Sequence, residues 1–227
     1  MFLFQPWASA GVYTFNDLGV GVGLNSKRLE QCRRFLGWID EPGVKDPELT
    51  LAQLAELAAA YAEESFARIG GPQRARGLAC RRGCHWCCYL PVEASKAEAA
   101  RALEFARSVL GAQAFDSLKT RIGAAAAAYP LTNTGPLSKN PPCPFLTDGA
   151  CAVYPARPLA CRSWNSRDAG ACETAWREGV DTVRVPVDSR IRGVYANASE
   201  ALNRGLVRGG FGEPGHLVPA LTALLAQ

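Results

Sequence analysis

Apolar side chains recur every three or four residues along most of the chain, the spacing that places them on one face of an α-helix. Breaks rich in glycine and proline separate these stretches from one another. The predicted helices span residues 26–39, 50–69, 95–110, 112–128 and 216–227, and a further helix begins at Ser189 and includes Leu202 before a break at Gly209. We therefore predict a mainly α-helical protein.

Capping residues mark the beginnings of two of these helices. Thr50 is followed three residues later by Gln53, and Ser95 is followed in the same way by Glu98. In such a capping box, the two side chains satisfy backbone N–H groups that the first helical turn leaves without partners. Helices are therefore expected to begin directly after Thr50 and Ser95.

Residues 130–188 differ from the rest of the chain. They contain eight of the fifteen prolines and four of the nine cysteines, and they show little periodicity. A structureless segment of this length is unusual inside a compact chain. We expect metal bound by cysteine side chains to supply the order that regular structure does not. The predicted fold is therefore helical, with a proline-rich, loop-rich centre organised by cysteine-bound metal.

These patterns divide the chain into three predicted regions. Residues 1–72 form an apolar lead-in followed by two helices, and residues 73–188 form a cysteine-rich metal-binding domain that includes two helices. Residues 189–227 supply C-terminal helices that pack on the same core. Residues 12–15 have the composition of a short strand, and we interpret the glycine-rich run 19–23 as a turn rather than a cofactor loop.

The composition is that of an ordinary globular protein, with 48% apolar and 20% charged residues in a chain of 227. The net charge of +4 is weak evidence for nucleic-acid binding, because metal-bound thiolates would offset it. The N-terminal apolar run has no basic segment before it, and no window approaches the length of a membrane span. We therefore expect a cytoplasmic protein with no membrane partner and with reduced thiols.

The strongest chemical signal is a group of four closely spaced cysteines, Cys80, Cys84, Cys87 and Cys88. Positions i, i+4, i+7 and i+8 of a helix share one face, so we expect the four sulfurs to converge on one point. Converging thiols in a reducing compartment favour metal binding over disulfide formation. Adjacent cysteines also rarely bridge each other.

A second group of cysteines follows in the proline-rich region, at Cys143, Cys151, Cys161 and Cys172. The two groups together offer eight candidate metal ligands. The ninth cysteine, Cys32, lies on the apolar face of a predicted helix, and we interpret it as a buried core residue.

The order and the neighbours of these cysteines resemble a known family. Cys80-x3-Cys84-x2-Cys87-Cys88 is followed by Cys143-Pro144-Phe145-Leu146, Cys151-Ala152-Val153-Tyr154 and Arg157-Pro158-Leu159-Ala160-Cys161-Arg162. This set is similar to the YkgJ-type cysteine-cluster family, which is described as a zinc- or iron-chelating domain. A similar cluster accompanies flagellin lysine methylases. The resemblance implies that the cysteines of residues 76–172 bind metal, with Cys172 as the last ligand.

The identity of the metal is open between zinc and iron. Eight thiolates suffice for two closed four-cysteine zinc sites, or for one or two iron–sulfur clusters. The spacing of Cys80 to Cys88 differs from the C-x2-C pairs of zinc ribbons, and Pro144 after Cys143 is typical of ferredoxin-type ligands. We therefore favour an iron–sulfur cluster, such as 4Fe–4S, with a redox or electron-transfer role and an unknown redox or protein partner.

Two other classes of function stay open. Cys80-x3-Cys84-x-Trp86-Cys87 matches the motif with which radical-SAM enzymes bind an open cluster, so a metal-dependent modification enzyme, including a methyltransferase, is one alternative. The arginine-rich residues 74–82 suggest a nucleic-acid- or protein-binding module with structural zinc as another. The sequence contains no Ser/His/Asp set, P-loop or pair of carboxylates that would assign a catalytic residue.

Side chains beside the cysteines are expected to support the metal. His85 should point away from the sulfurs, because it follows Cys84 by one position. The neighbouring arginines are expected to offset thiolate charge or donate hydrogen bonds, with surface solvation as the alternative for the first two: Arg81, Arg82, Arg157 and Arg162. The aromatic residues expected to cover the metal region are Trp86, Tyr154 and Trp164.

Overall fold

The computed structural model describes residues 49–131 and 133–227. These residues are 60% helical and 4% strand, and they form eight α-helices. The mainly α-helical fold is therefore confirmed. The helix expected over residues 26–39, the strand at 12–15, the glycine-rich run 19–23 and Cys32 lie outside the described residues.

The helices appear close to the positions that periodicity predicts. They are α1 (Leu51–Arg68), α2 (Gly71–Ala75), α3 (Lys96–Val109), α4 (Ala112–Ala127), α5 (Leu159–Ser163), α6 (Ala169–Glu178), α7 (Ser189–Arg208) and α8 (Leu217–Leu225). Two-residue strands form two antiparallel pairs, β1 (Glu93–Ala94) with β4 (Gly215–His216) and β2 (Leu146–Thr147) with β3 (Ala150–Cys151). Single 3-10 turns occur at Trp86–Tyr89, Leu137–Lys139 and Tyr154–Ala156.

Both predicted capping boxes are present. The Thr50 hydroxyl accepts a hydrogen bond from the Gln53 backbone at 3.2 Å, and the Gln53 side chain accepts one from the Thr50 backbone at 2.8 Å. Ser95 and Glu98 make the same pair of contacts at the start of α3. Local hydrogen bonding therefore fixes where α1 and α3 begin.

The proline-rich region contains more regular structure than its sequence pattern predicts. Both α5 and α6 lie within residues 130–188, where we expected order to come from metal alone. With five residues, α5 is too short to show helical periodicity. In α6, Cys172, Ala175 and Trp176 lie at helical spacing, a short pattern that we did not interpret as a helix, and only Ala175 is fully buried. Asp168 begins α6 by accepting hydrogen bonds from the backbones of Gly170 and Ala171.

Two apolar clusters form the core. The first joins α1 to α7, and its large buried side chains are Leu54, Leu57, Phe66, Leu159, Ile191, Tyr195 and Leu202. The second joins α3, α4 and α8, and includes Leu103, Leu118, Ile122, Phe145, Val153, Leu217 and Leu221. Leu159 belongs to the first cluster, whereas Phe145 and Val153 belong to the second. The cysteine-rich segment is therefore packed against both clusters.

Among the described helices, none has both the length and the apolar character that crossing a bilayer requires.

Candidate metal centre

The first cysteine group lies in a turn, so our expectation that its four sulfurs share one helical face is wrong. The Cys84 backbone N–H donates to the Arg81 carbonyl at 3.0 Å, which closes a tight turn. Gly83 in this turn has a φ of 94°, a left-handed conformation that cannot continue a right-handed helix. Helical backbone resumes only as the 3-10 turn Trp86–Tyr89. The turn places the Cys84 side chain in hydrogen-bond contact with Cys80.

The eight described cysteines are all free. The Cys87 thiol is within electrostatic reach of all seven others: Cys80, Cys84, Cys88, Cys143, Cys151, Cys161 and Cys172. Cys84 interacts in the same way with Cys80 and Cys172, and Cys161 with Cys143 and Cys151. We refer to Cys80, Cys84 and Cys172 as the Cys84 half, and to Cys143, Cys151 and Cys161 as the Cys161 half. The Cys87 thiol is therefore within electrostatic range of every other candidate ligand among the described residues.

One backbone hydrogen bond joins the two cysteine groups of the sequence directly. The Cys143 N–H donates to the Cys88 carbonyl at 2.7 Å. The helices α3 and α4 lie between these two residues in the chain. This bond therefore closes the α3–α4 segment into a long loop whose two ends meet at the cysteines.

Hydrogen bonds around Ser166 support the Cys84 half. The Ser166 N–H donates to the Cys80 sulfur at 3.1 Å, and its carbonyl accepts from the Ala79 backbone at 2.8 Å. Ser166 also hydrogen-bonds through its side chain to Cys172. A single residue of the segment before α6 thus contacts two of the three thiols in this half.

The segment around Ser166 is tied in turn to the first turn of α7. The buried carboxylate of Asp188 forms ion pairs with Arg167 at 3.0 Å and with Arg74 at 3.4 Å. It also accepts hydrogen bonds from the first backbone N–H groups of α7. Asn165 completes the link by accepting from the Asp188 backbone at 2.7 Å.

Buried ion pairs support the Cys161 half. The Pro155 carbonyl, between Cys151 and Cys161 in the chain, accepts hydrogen bonds from Arg101 and from Arg162. Each arginine also pairs with a carboxylate of α1: Arg101 with Glu56 and Arg162 with Glu63. We refer to these four side chains as the arginine clamp. The Tyr195 hydroxyl of α7 donates to Glu63 at 3.1 Å, so both helices of the first core hold the clamp.

Glu98 links the beginning of α3 to the helix that carries Cys161. One carboxylate oxygen accepts from Ser95 within the capping box, and the other accepts from the Leu159 N–H at 2.8 Å. Glu98 is only 3% exposed. A carboxylate at the first N–H groups of a helix satisfies donors that have no partner within the helix. Glu98 therefore fixes the start of α5, two residues before Cys161.

The pKa of Cys84 is shifted in the opposite direction from those of the three thiols in the Cys161 half. A hydrogen bond from Cys80, together with the Trp86 backbone and the charges of His85 and Arg81, lowers the pKa of Cys84 to about 6. Burial raises the pKa values of Cys143, Cys151 and Cys161. A buried thiol ionises only when a nearby positive charge stabilises the thiolate. The Cys161 half is therefore neutral unless a cation is present.

The remaining thiols are also shifted upward. The hydrogen bond to Cys84, followed by burial, raises the pKa of Cys80. The hydrogen bond to Cys88, again followed by burial, raises the pKa of Cys87, and burial raises that of Cys172. Cys84 is thus the one thiol with a lowered pKa among the described residues whose pKa shifts are resolved.

The donor chemistry of the site fits a thiophilic metal. Within the described part of the chain, no three cysteine, histidine or carboxylate side chains are grouped tightly enough to hold a metal ion as they stand. The sulfurs share one neighbourhood, and binding requires them to move towards the ion. Arg157 lies within electrostatic reach of Cys87, Cys151 and Cys161, and its buried Nε has no hydrogen-bond partner among the residues that the structure describes. A thiolate sulfur is a suitable acceptor for this donor.

The flanking residues take up roles that the sequence predicts only in part. Arg157 is placed to offset thiolate charge, as expected, and stacks at 4.0 Å on the Tyr154 ring. Arg162 is used in the arginine clamp instead. Arg81 and Arg82 are exposed, in agreement with their interpretation as surface residues.

Aromatic rings cover one side of the first cysteine group. Trp176 of α6 contacts Trp86 at 5.3 Å and Tyr89 at 5.5 Å, measured between ring centroids. The expectation that Trp164 covers the metal region is not met in full, because its side chain is 40% exposed. Trp176 was missed, although it follows Cys172 by four residues and therefore lies on the same face of α6.

The fold and the site together define a mainly helical protein with a cysteine-rich centre. Residues 79–178 match the CxxCxxCC family model, described as "Putative zinc- or iron-chelating domain". This segment contains all eight cysteines of the site, and the match confirms the family resemblance that their spacing indicates. The family description assigns chelation of zinc or iron to this segment. No curated protein and no solved structure matches the chain.

Proposed function

We propose that the eight described cysteines hold an iron–sulfur cluster, and that the protein has a redox role in the cytoplasm together with a partner protein. The observation that supports this proposal best is that the Cys87 thiol interacts electrostatically with the other seven described thiols. Thiolate is the standard ligand of such clusters, and a bound cluster supplies the ability to gain and lose electrons.

Iron is favoured over zinc by the arrangement of the donors. Structural zinc sites are closed sets of four ligands, often built from two C-x2-C pairs. Here Cys87 neighbours both halves of the set, and Cys88 directly follows it. Sharing of one central thiol between two groups of sulfurs suits a multinuclear centre better than two separate tetrahedral sites.

The chain's own residues would then control the surroundings of the sulfurs. Arg157 is placed to offset thiolate charge, and the arginine clamp fixes the backbone beside Cys161. The rings of Trp86 and Trp176 pack together beside Cys87. Charge, hydrogen bonds and solvent exposure at the sulfurs are the terms by which a protein sets the potential of a cluster.

An absorption spectrum with metal analysis, on protein purified without oxygen, tests the proposal. Broad brown visible absorbance with iron and acid-labile sulfide is the expected result. A colourless protein with about two zinc ions per chain would contradict the iron–sulfur proposal and indicate structural zinc sites instead.

Single substitutions test the ligand set. We expect Cys84→Ala and Cys161→Ala to lose metal and solubility together, because metal binding contributes to folding. Cys32→Ala should retain both, since this residue is interpreted as part of the core. Full metal occupancy in Cys161→Ala would contradict the ligand assignment.

A metal-dependent modification enzyme is the second candidate, and one feature favours it. An open cleft of about 910 Å³ reaches six of the cysteines, so a substrate has access to the centre. Within the described residues, however, the segment after Cys88 lacks the alternating strands and helices of a radical-SAM barrel. Titration of the metal-loaded protein with S-adenosylmethionine separates the candidates, because a purely redox protein does not bind it.

A further inference from the structure

The open cleft extends well beyond the cysteines. It lies between one face of α7 and the segments that carry Cys84, Cys87, Cys88, Cys143, Cys151 and Cys161. Its volume of about 910 Å³ is at the upper end of the range for clefts that bind small organic molecules. A metal centre of cysteine thiolates occupies only one side of such a space.

Small side chains keep the middle of the cleft open. Arg192, Ala196, Ser199, Asn203 and Val207 line it from α7, at the spacing of a single helical face. From Arg192 to Val207 this face extends for about 22 Å. The two smallest of these side chains, Ala196 and Ser199, lie in the middle, so the helix itself leaves room for a ligand.

The charges along the cleft differ between its two ends. Arg192 stands at one end, with its guanidinium over the exposed Trp164 ring at 5.4 Å. Stacking uses the face of the guanidinium and leaves the N–H groups at its edge able to bind an anion. At the end formed by β1 and β4, Glu93 and Glu213 outnumber Arg208. Arg157 also lines the cleft, beside the cysteines. Arg204, near the middle, is already paired with Glu200 at 2.7 Å. An anionic group is therefore favoured at the Arg192 end.

The lining of the cleft also contains a polar atom in need of a partner. The side-chain oxygen of Asn203 is buried, and it has no hydrogen-bond partner among the described residues. A buried polar atom of this kind is costly unless something donates to it. Asn203 lies about 16 Å along α7 from Arg192, as the rise per residue gives for eleven positions. A ligand with a donor group beyond its apolar body would satisfy it.

We propose that this cleft is a binding site for a small organic anion with an aromatic or apolar body. The anionic group binds the Arg192 guanidinium, and the body lies against Trp164, a large apolar side chain that is 40% exposed, and extends towards Ala196. The proposal goes beyond metal binding and does not depend on which metal the cysteines hold.

Two fluorescent probes that differ by one charged group test the site. The anion 1-anilinonaphthalene-8-sulfonate and its neutral parent N-phenyl-1-naphthylamine have the same rings, but only the first carries a sulfonate. Each is titrated into the full chain in its metal-loaded form. In Arg192→Gln we expect the anion to bind about tenfold more weakly, while the neutral probe binds unchanged. Arg192→Lys should restore most of the affinity for the anion.

Matched variants separate the cleft from the rest of the surface. Arg190→Gln removes an exposed arginine of the same helix that does not line the cleft, so it should leave both probes unaffected. Ala196→Trp fills the middle of the cleft from an exposed position and should weaken both probes. Unfolding temperature and metal content are measured for every variant, because partly unfolded protein also binds these dyes.

Equal affinity of the sulfonate for Arg192→Gln and Arg190→Gln would overturn the proposal, as would unchanged binding of both probes to Ala196→Trp. The result that would contradict the proposed metal centre is a different one. A protein without iron or zinc that still distinguishes the two arginine variants would keep the anion site and remove the proposed redox function.

Discussion

The two halves of the cysteine set are built from the same residue type and are held by different interactions. Backbone hydrogen bonds around a turn and Ser166 support the Cys84 half, near the surface. Buried ion pairs of the arginine clamp support the Cys161 half, between the two apolar clusters. The first half contains a thiol with a lowered pKa, whereas burial raises the pKa values in the second. The same type of ligand is therefore held by different interactions, and with different thiol pKa values, in the two halves.

Substitution of Cys87 should have the largest effect, because it should affect metal binding by both halves. We expect Cys87→Ser to lose nearly all bound metal, because its thiol neighbours both halves. Cys172→Ser should keep a larger share, since Cys172 belongs to one half only. Metal and sulfide per chain, measured after anaerobic purification, give the result. If Cys87→Ser keeps as much metal as Cys172→Ser, the two halves act independently and Cys87 is not central.

Glu63→Ala tests whether the Cys161 half depends on the arginine clamp. The substitution leaves the Arg162 charge without its carboxylate at a largely buried position and removes the acceptor of the Tyr195 hydroxyl. Breaking a buried pair in this way costs about 3 kcal/mol of unfolding free energy. Urea unfolding of the metal-loaded protein measures it, and metal should dissociate faster as well.

Asp116→Ala is the matched control for the clamp. It breaks the exposed Asp116–Lys119 pair of α4, which should cost less than about 0.5 kcal/mol. If the Glu63 and Asp116 variants unfold at the same urea concentration, the clamp does not contribute to stability.

Alkylation of the reduced, metal-free protein compares the two halves directly. At pH 7 a thiol with a pKa of about 6 is mostly thiolate, so iodoacetamide should modify Cys84 before Cys143 and Cys161. Lowering the pH to 5 protonates Cys84 and should reduce its rate about tenfold. Peptide mapping by mass spectrometry follows each cysteine. Faster modification of Cys161 than of Cys84 would show that the thiol pKa values of the two halves are assigned the wrong way round.

Asp188→Asn tests the support of the Cys84 half and should have a smaller effect than Glu63→Ala. Burial raises the pKa of Asp188, but the Ile191 and Arg190 N–H groups and the Arg74 charge lower it by more. A carboxyl with a lowered folded pKa stabilises the protein above its unfolded value of about 3.9, and this stabilisation is lost as the pH falls through the folded value.

The asparagine variant keeps the oxygen that caps α7 and loses the ion pairs with Arg74 and Arg167. We expect a cost of about 1 kcal/mol at pH 7 that shrinks towards pH 3. Urea unfolding at both pH values measures it. A difference that is the same at both would show that the charge of Asp188 is not responsible.

Local signals in the sequence were sufficient to predict α1, α3, α4, α7 and α8 and the inventory of candidate ligands, but not the helices α2, α5 and α6. The Thr50 and Ser95 capping boxes involve residues three positions apart, so their hydrogen bonds can be read from the sequence. The cysteines are equally readable, because residue type and spacing define them.

The parts that sequence reasoning missed depend on long-range contacts or on a single backbone angle. Glu63 and Arg162 are 99 residues apart, and nothing in either neighbourhood marks them as partners. Glu98 was recognised as a capping residue, but its second contact, with Leu159, joins positions 61 residues apart. At Gly83 one left-handed residue was enough to replace the predicted helix by a turn.

The hydrogen bond from Cys143 to Cys88 shows that the two cysteine groups meet in the folded protein, so that a shared metal would also constrain the unfolded chain. A metal bound by cysteines of both groups would crosslink positions at the two ends of a 55-residue loop. By the chain-entropy relation used for disulfides, a crosslink over such a loop removes entropy from the unfolded state equivalent to about 4 kcal/mol. The helices α3 and α4 contain none of the eight cysteines, yet they would gain stability from the metal because their loop is closed by it.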